Sequence, residues 1–197
     1  MDIFRKTKKS HPHLEYTFSY MKLSSIQNQK INAAVDVANN NIVFMKKGIK
    51  DATPRLKRLH DEGFHIESLM VNGQLVEHAI KTVLHGCKLK REVAKIIGAP
   101  DPFSKKLNLS DFTDKPLGPL VGLLKWAIRN DQLCEDLTKF NEFRKDFTHH
   151  VFNGTRELDE MDKKADEYLK SPNFHDILLD LVGEHMKLQR ETNALLN

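Results

Sequence analysis

The segment from Asn130 to Gly154 places the strongest constraint on how this chain can fold. It contains no proline or glycine before its last residue, and its apolar side chains recur at helical spacing. These side chains are Leu133, Leu137, Phe140, Phe147 and Val151. Asn130 offers a capping oxygen at the expected start, and Gly154 favours a left-handed stop at the end. The segment therefore predicts a long amphipathic helix with one buried face.

Apolar residues recur at the same helical period in most of the remaining chain. Residues 55–87 carry the longest such pattern, and Gly63 marks a point at which it either kinks or divides into two helices. Gly73 lies on the apolar face, which indicates close approach of a neighbouring helix. We therefore predict a mainly α fold, a helical bundle. The helix that begins near Pro119 and the helix after Asn130 should form an antiparallel hairpin.

The first 50 residues are harder to assign. Residues 14–23 alternate apolar and polar side chains as a strand does, yet Tyr16, Tyr20 and Leu23 also align on one face of a helix. Pro54 occupies a favoured position for a helix start. We therefore predict an N-terminal extension of uncertain structure over residues 1–50, either with a small strand or hairpin or with a helix, and a helical domain over residues 51–197.

Composition bounds the function only loosely. Hydrophobic residues make up 40% of the chain and charged residues 29%, with a net charge of +4, which permits nucleic-acid binding without requiring it. Cys87 and Cys134 are far apart in helix-like segments, so we expect reduced thiols and a cytoplasmic protein. No segment is apolar over the length that crosses a membrane, and none is expected to bind one.

Motifs of several enzyme classes are absent from the sequence. No phosphate-binding glycine loop, Gly-x-Ser-x-Gly nucleophile or Cys-x-x-Cys pair occurs. Ten histidines invite a metal site, but pairs such as His60 and His65 lack a carboxylate or cysteine nearby in the sequence at ligand spacing. We therefore expect no metal site and no cofactor.

Arg144 is the unusual residue of the predicted helix. It lies within about 20° of Leu133 and Leu137 around the helix axis, in the middle of the apolar face. A guanidinium stays charged and is costly to bury without a partner. We therefore expect an anionic partner for Arg144: a phosphate, another chain, or a carboxylate such as Glu77 on the preceding long helix.

The pattern Arg144-x-x-x-x-His149, with Asn141 one turn earlier, resembles the signature of HEPN domains, which are built on an antiparallel helical hairpin. The resemblance implies a metal-independent endoribonuclease whose products carry a 2′,3′-cyclic phosphate. Arg144 would stabilise the scissile phosphate, Asn141 would contact it or orient the guanidinium, and His149, or His150 in a shifted register, would be the general base. Lys145 departs from the compact polar residue usual after the arginine and would face the substrate.

The resemblance also implies a homodimer with the motif at its two-fold axis. Five residues on a regular helix place Arg144 and His149 roughly 140° apart, so they cannot share a face. Either the helix distorts near Thr148, or a second subunit completes the site. An active enzyme of this kind is expected to be a toxin or defence protein, with RNA as substrate and an antitoxin or regulatory protein as partner.

A second resemblance rests on layout. Pro116-Leu117-Gly118-x-Leu120, a leucine-rich helix and then Arg-x-x-x-x-His is similar to the arrangement in the mannitol operon repressor (MltR) family. This similarity implies a helical domain without catalytic activity, which acts as a regulator by binding a protein or a nucleic acid. The two hypotheses predict different surroundings for Arg144: a basic groove in the enzyme, and a sealed ion pair in the regulator.

Overall fold

Six helices make up the part of the chain that the computed structural model describes, residues 23–104, 107–154 and 157–196. They are α1 (Ser25–Asp61), α2 (His65–Ile97), α3 (Leu117–Ala127), α4 (Asp131–Asn153), α5 (Leu158–Leu169) and α6 (Pro172–Ala194). These residues contain no strand, so the mainly α helical bundle is confirmed. The strand or helix considered for residues 14–22 lies outside the described residues.

α1 and α2 form a long antiparallel hairpin. Ser24 begins α1 with a capping box, in which its hydroxyl accepts from the backbone N–H of Gln27 at 3.2 Å. The side chain of Gln27 in turn donates to the carbonyl of Ile96 at the end of α2, at 3.0 Å. At the other end of the hairpin, Gly63 takes a φ of 79° in the tight turn between the helices. Gly63 therefore separates two helices.

Pro54 does not begin a new helix. It lies inside α1, which runs unbroken from Ser25 to Asp61 and so passes through residues 50 and 51, where we placed the edge of the N-terminal extension. A proline inside a helix removes one backbone donor and costs about 3 kcal/mol. Apolar packing along α2 offsets this cost, because α1 buries Ile31, Val35 and Ile42 against α2.

The main core surrounds α2, which packs against α1, α3, α4, α5 and α6. α3 and α4 are joined by a short turn, and Asn130 caps α4 by accepting from the backbone N–H of Leu133 at 3.1 Å. Gly154 ends α4 with a φ of 61°. The start and stop predicted for this helix are thus confirmed. Cys87 and Cys134 are buried free thiols.

His85 makes the stability of α2 depend on pH. Its ring packs edge-on against Phe112 with 4.7 Å between centroids. Burial, and secondarily the charge of Lys88, lowers the pKa of His85 from 6.5 to about 4. The unfolded chain therefore binds a proton at a pH where the folded chain does not. The stability that neutral His85 contributes is complete above about pH 6.5 and is lost as the pH falls towards 4.

We expect His85→Gln to flatten the pH dependence of folding. Between pH 7 and pH 5 the free energy of unfolding of the unsubstituted protein should fall by about 1 kcal/mol more than that of the variant, after allowance for solvent screening of a partly exposed ring. Urea denaturation at both pH values measures the difference. Equal losses in the two proteins would contradict the assignment.

Candidate functional site

The side chain of Arg144 fills the space that Gly73 leaves open. A methyl group at Gly73 would lie 2.9 Å from Cδ of Arg144 and 3.4 Å from its Nη1. Gly73 is buried in α2, while Arg144 of α4 is half-buried. We predicted that a neighbouring helix lies close to Gly73. The group in contact with Gly73 is the side chain of Arg144 on α4. Any larger residue at this position would require the arginine side chain to shift.

The guanidinium of Arg144 forms no hydrogen bond or ion pair with any residue that the structure describes. Glu77, which we considered as its partner, binds Lys81 of the same helix instead, with 2.8 Å between Oε1 and Nζ. The expected pair of Glu77 and Arg144 is therefore not made. A partly buried cation without a counter-charge is suited to an external anion.

Asn141 and Lys145 lie beside the first turn of α3. A methyl group at Gly118 would be 3.3 Å from Nδ2 of Asn141 and 3.8 Å from Nζ of Lys145. Asn141 is 7% exposed, and its Oδ1 is buried without a hydrogen-bond partner among the described residues. Lys145 is exposed. The structure therefore places both predicted substrate-binding residues against the N-terminus of a helix.

The first turn of α3 adds one backbone donor. Its N-cap, Pro116, supplies no side-chain hydrogen bond, and the first internal bond runs from the N–H of Leu120 to the carbonyl of Pro116. The N–H group of Gly118 consequently has no partner within the described part of the chain, and the helix dipole adds positive potential there. Leu117 is 0% exposed, so its N–H group is closed to a ligand. Asn141, Arg144, Lys145 and this first turn of α3 form a candidate site for an anion, which we call the anion site.

The continuous helix α4 keeps both histidines away from the face that carries Arg144. α4 is continuous from Asp131 to Asn153, and the Thr148 hydroxyl donates to the carbonyl of Arg144 at 2.9 Å without breaking the helix. The distortion that would align Arg144 with His149 is therefore not seen. His149 is exposed, and Nε2 of His150 lies 3.0 Å from the carboxylate of Asp146. Completion by a second subunit stays a prediction.

Two of the basic residues that could have extended the anion site are paired with acids elsewhere. Lys90 lies 2.7 Å from Glu191, and Nε of Arg91 lies 3.1 Å from Asp101. Arg91 also donates to the carbonyl of Leu107 at 2.8 Å, so it holds the segment after α2 against that helix. These two cations therefore have structural partners and add no unpaired positive charge to the anion site.

The structure also brings together a group that sequence spacing does not reveal. His60, His65 and Asp166 offer three ligand atoms within 4.8 Å of one another, although the aspartate comes from α5, about a hundred residues later in the chain. A His-x-x-x-x-His pair and an Asp162-x-x-x-Asp166 pair are visible in the sequence. Their proximity depends on α5 packing against the start of α2.

No family model, curated protein or solved structure matches this chain. The resemblances to HEPN domains and to the MltR family therefore stay predictions. None of the helices in the described part of the chain has both the length and the hydropathy that a membrane crossing requires.

Proposed function

We propose that this protein binds RNA, and that the anion site holds a phosphate of the RNA backbone. The observation that carries the proposal is the partly buried residue Arg144, whose guanidinium has no counter-charge among the described residues. Arg144 supplies a flat, fixed set of donors suited to phosphate oxygens, and Lys145 adds a mobile charge at the surface. Asn141 Nδ2 and the N–H group of Gly118 supply neutral donors.

The choice of RNA among phosphate ligands rests on the resemblance of Arg144 and His149 to the HEPN motif. A net charge of +4 is compatible with a polyanionic ligand. Contacts to phosphate provide affinity without sequence specificity, so we expect binding that weakens as salt increases.

The test is fluorescence anisotropy with a labelled single-stranded RNA of mixed sequence at several salt concentrations. Arg144→Gln and Lys145→Gln should each weaken binding by about 10-fold and reduce the slope of log affinity against log salt by about one. Lys139→Gln is the matched control, because Lys139 lies on the same helix and is paired with Glu135 at the surface. Unchanged affinity in Arg144→Gln, or an equal loss in Lys139→Gln, would contradict the proposal.

A second candidate function, cleavage of the bound RNA, is favoured by the exposure of His149. In a homodimer, His149 of one subunit could reach the phosphate that Arg144 of the other holds, and could take the proton from the 2′-hydroxyl. The same RNA, incubated in excess EDTA, tests this: Arg144→Ala and His149→Ala should each abolish cleavage. The melting temperature of each variant, measured in EDTA, shows whether cleavage is lost while the folded structure is kept.

Mixing the two inactive variants distinguishes a shared site from a site within one subunit. In a mixed dimer, one of the two sites would contain an intact Arg144 and an intact His149. Random exchange of subunits should therefore restore about a quarter of the original activity. No recovery, or cleavage that survives either substitution, would leave RNA binding as the function.

A further inference from the structure

The turn between α1 and α2 presents two histidines to α5. His60 lies in the last turn of α1 and His65 is the first residue of α2, and their ring centroids are 5.5 Å apart. Asp166 of α5 faces both rings, with its Oδ1 at 3.4 Å from Nε2 of His65. Ligand atoms bound to a tetrahedral zinc ion at about 2.1 Å lie about 3.4 Å apart. His65 and Asp166 thus already have the separation of two zinc ligands.

Asp162 holds His65 in the orientation that metal binding requires. One oxygen of Asp162 accepts from the backbone N–H groups of His65 and Ile66, at 2.8 and 3.0 Å. The other oxygen lies 2.6 Å from Nδ1 of His65. A proton on Nδ1 satisfies this hydrogen bond, which leaves the lone pair of Nε2 directed at Asp166. Carboxylates orient metal-bound histidines in the same way in known sites.

Two buried atoms in this group have no hydrogen-bond partner among the described residues. They are Nδ1 of His60 and Oδ1 of Asp166. The second oxygen of Asp166 is engaged by Lys170 at 2.5 Å, so Oδ1 is the oxygen left for another ligand. A buried polar atom without a partner is costly, and a cation among these atoms would remove the cost.

We propose that His60, His65 and Asp166 bind a zinc ion, with Asp162 as a positioning residue. Two imidazole nitrogens and one carboxylate oxygen form a donor set typical of zinc, and three protein ligands leave a fourth position for water or another ligand. The ion would join the end of α1 and the start of α2 to α5. His65 precedes Gly73 by eight residues, or about 12 Å along α2, and none of the proposed ligands belongs to the anion site.

The test is calorimetric titration of ZnCl2 into tag-free, full-length protein that has been treated with EDTA and dialysed. One equivalent should bind, and zinc should raise the melting temperature. His60→Gln and Asp166→Asn should each weaken zinc binding by about 100-fold or more, and Asp162→Asn by about 10- to 100-fold. Titration with Co2+ should give the visible absorption of a tetrahedral site, which Asp166→Asn should abolish.

Other histidines provide the controls. His78→Gln and the double variant His11→Gln/His13→Gln should keep the full zinc affinity. Circular dichroism should show that each variant remains helical, and His60→Gln decides the outcome if Asp166→Asn does not fold. The proposal is overturned if the protein binds no zinc, if His60→Gln binds it as tightly as the unsubstituted protein, or if the His11→Gln/His13→Gln variant loses it.

Discussion

Replacement of Phe140 by alanine should lower the free energy of unfolding by about 3–5 kcal/mol. Phe140 is 0% exposed at the centre of α4 and belongs to the main core that surrounds α2. Its ring stacks on Tyr168 of α5 with 6.0 Å between centroids and 26° between planes. Truncation removes the buried ring and leaves a cavity between two helices, so both the transfer free energy and the packing are lost.

Chemical denaturation followed by circular dichroism measures the effect. Phe44→Ala is the matched control, because Phe44 lies on α1 and is 67% exposed, and its replacement should change stability by no more than about 0.5 kcal/mol. A loss below about 1 kcal/mol for Phe140→Ala would mean that α4 does not pack as described.

Replacement of Gly73 by alanine should destabilise the protein by about 1–3 kcal/mol, although alanine is the better helix former. The added methyl group would lie 2.9 Å from Cδ of Arg144, closer than van der Waals contact allows, and Arg144 would have to leave the surface of α2. The same substitution should also weaken RNA binding if the anion site depends on the position of Arg144.

Two variants test whether contact with Arg144 causes the loss of stability in Gly73→Ala. Gly122→Ala, in α3, meets no atom within 4 Å and should raise stability by about 0.5–1 kcal/mol through helix propensity alone. In the double variant Gly73→Ala/Arg144→Ala the long side chain is gone, so the penalty of Gly73→Ala measured in that background should vanish or reverse sign. An equal penalty in both backgrounds would show that some other contact excludes the methyl group.

Local signals allowed α4 and its surroundings to be predicted from the sequence. The cap at Asn130, the stop at Gly154 and the apolar face between them act through neighbours within a few residues, so they are visible in the chain itself. The role of Gly73 followed from the same logic, since a glycine on a buried helix face indicates a close neighbour. The sequence could not show that the neighbour is Arg144.

Partners distant in the sequence explain what was missed. The acidic neighbours of His60 and His65 come from α5, and no local pattern indicates that α5 covers the start of α2. Glu77 was considered as the partner of Arg144, but Glu77 pairs with Lys81, which lies one turn away on the same helix. Proline is favoured at a helix start, so Pro54 suggested that a helix begins there. The continuous helix α1 is instead stabilised by tertiary packing on α2, which local sequence patterns do not show.

The arrangement of the two cores bears on how the molecule unfolds. Among the described helices α1 packs against α2 alone, and four of its buried residues form a cluster of their own with Leu89, Val93 and Leu196. Such a layer can detach as a separate cooperative unit while the rest of the bundle stays folded. Detachment of α1 would carry His60 away from His65, whereas Arg144 and Gly73 would keep their contact. An ion bound between α1 and α5 would therefore couple the outer layer to the bundle and merge two unfolding units into one.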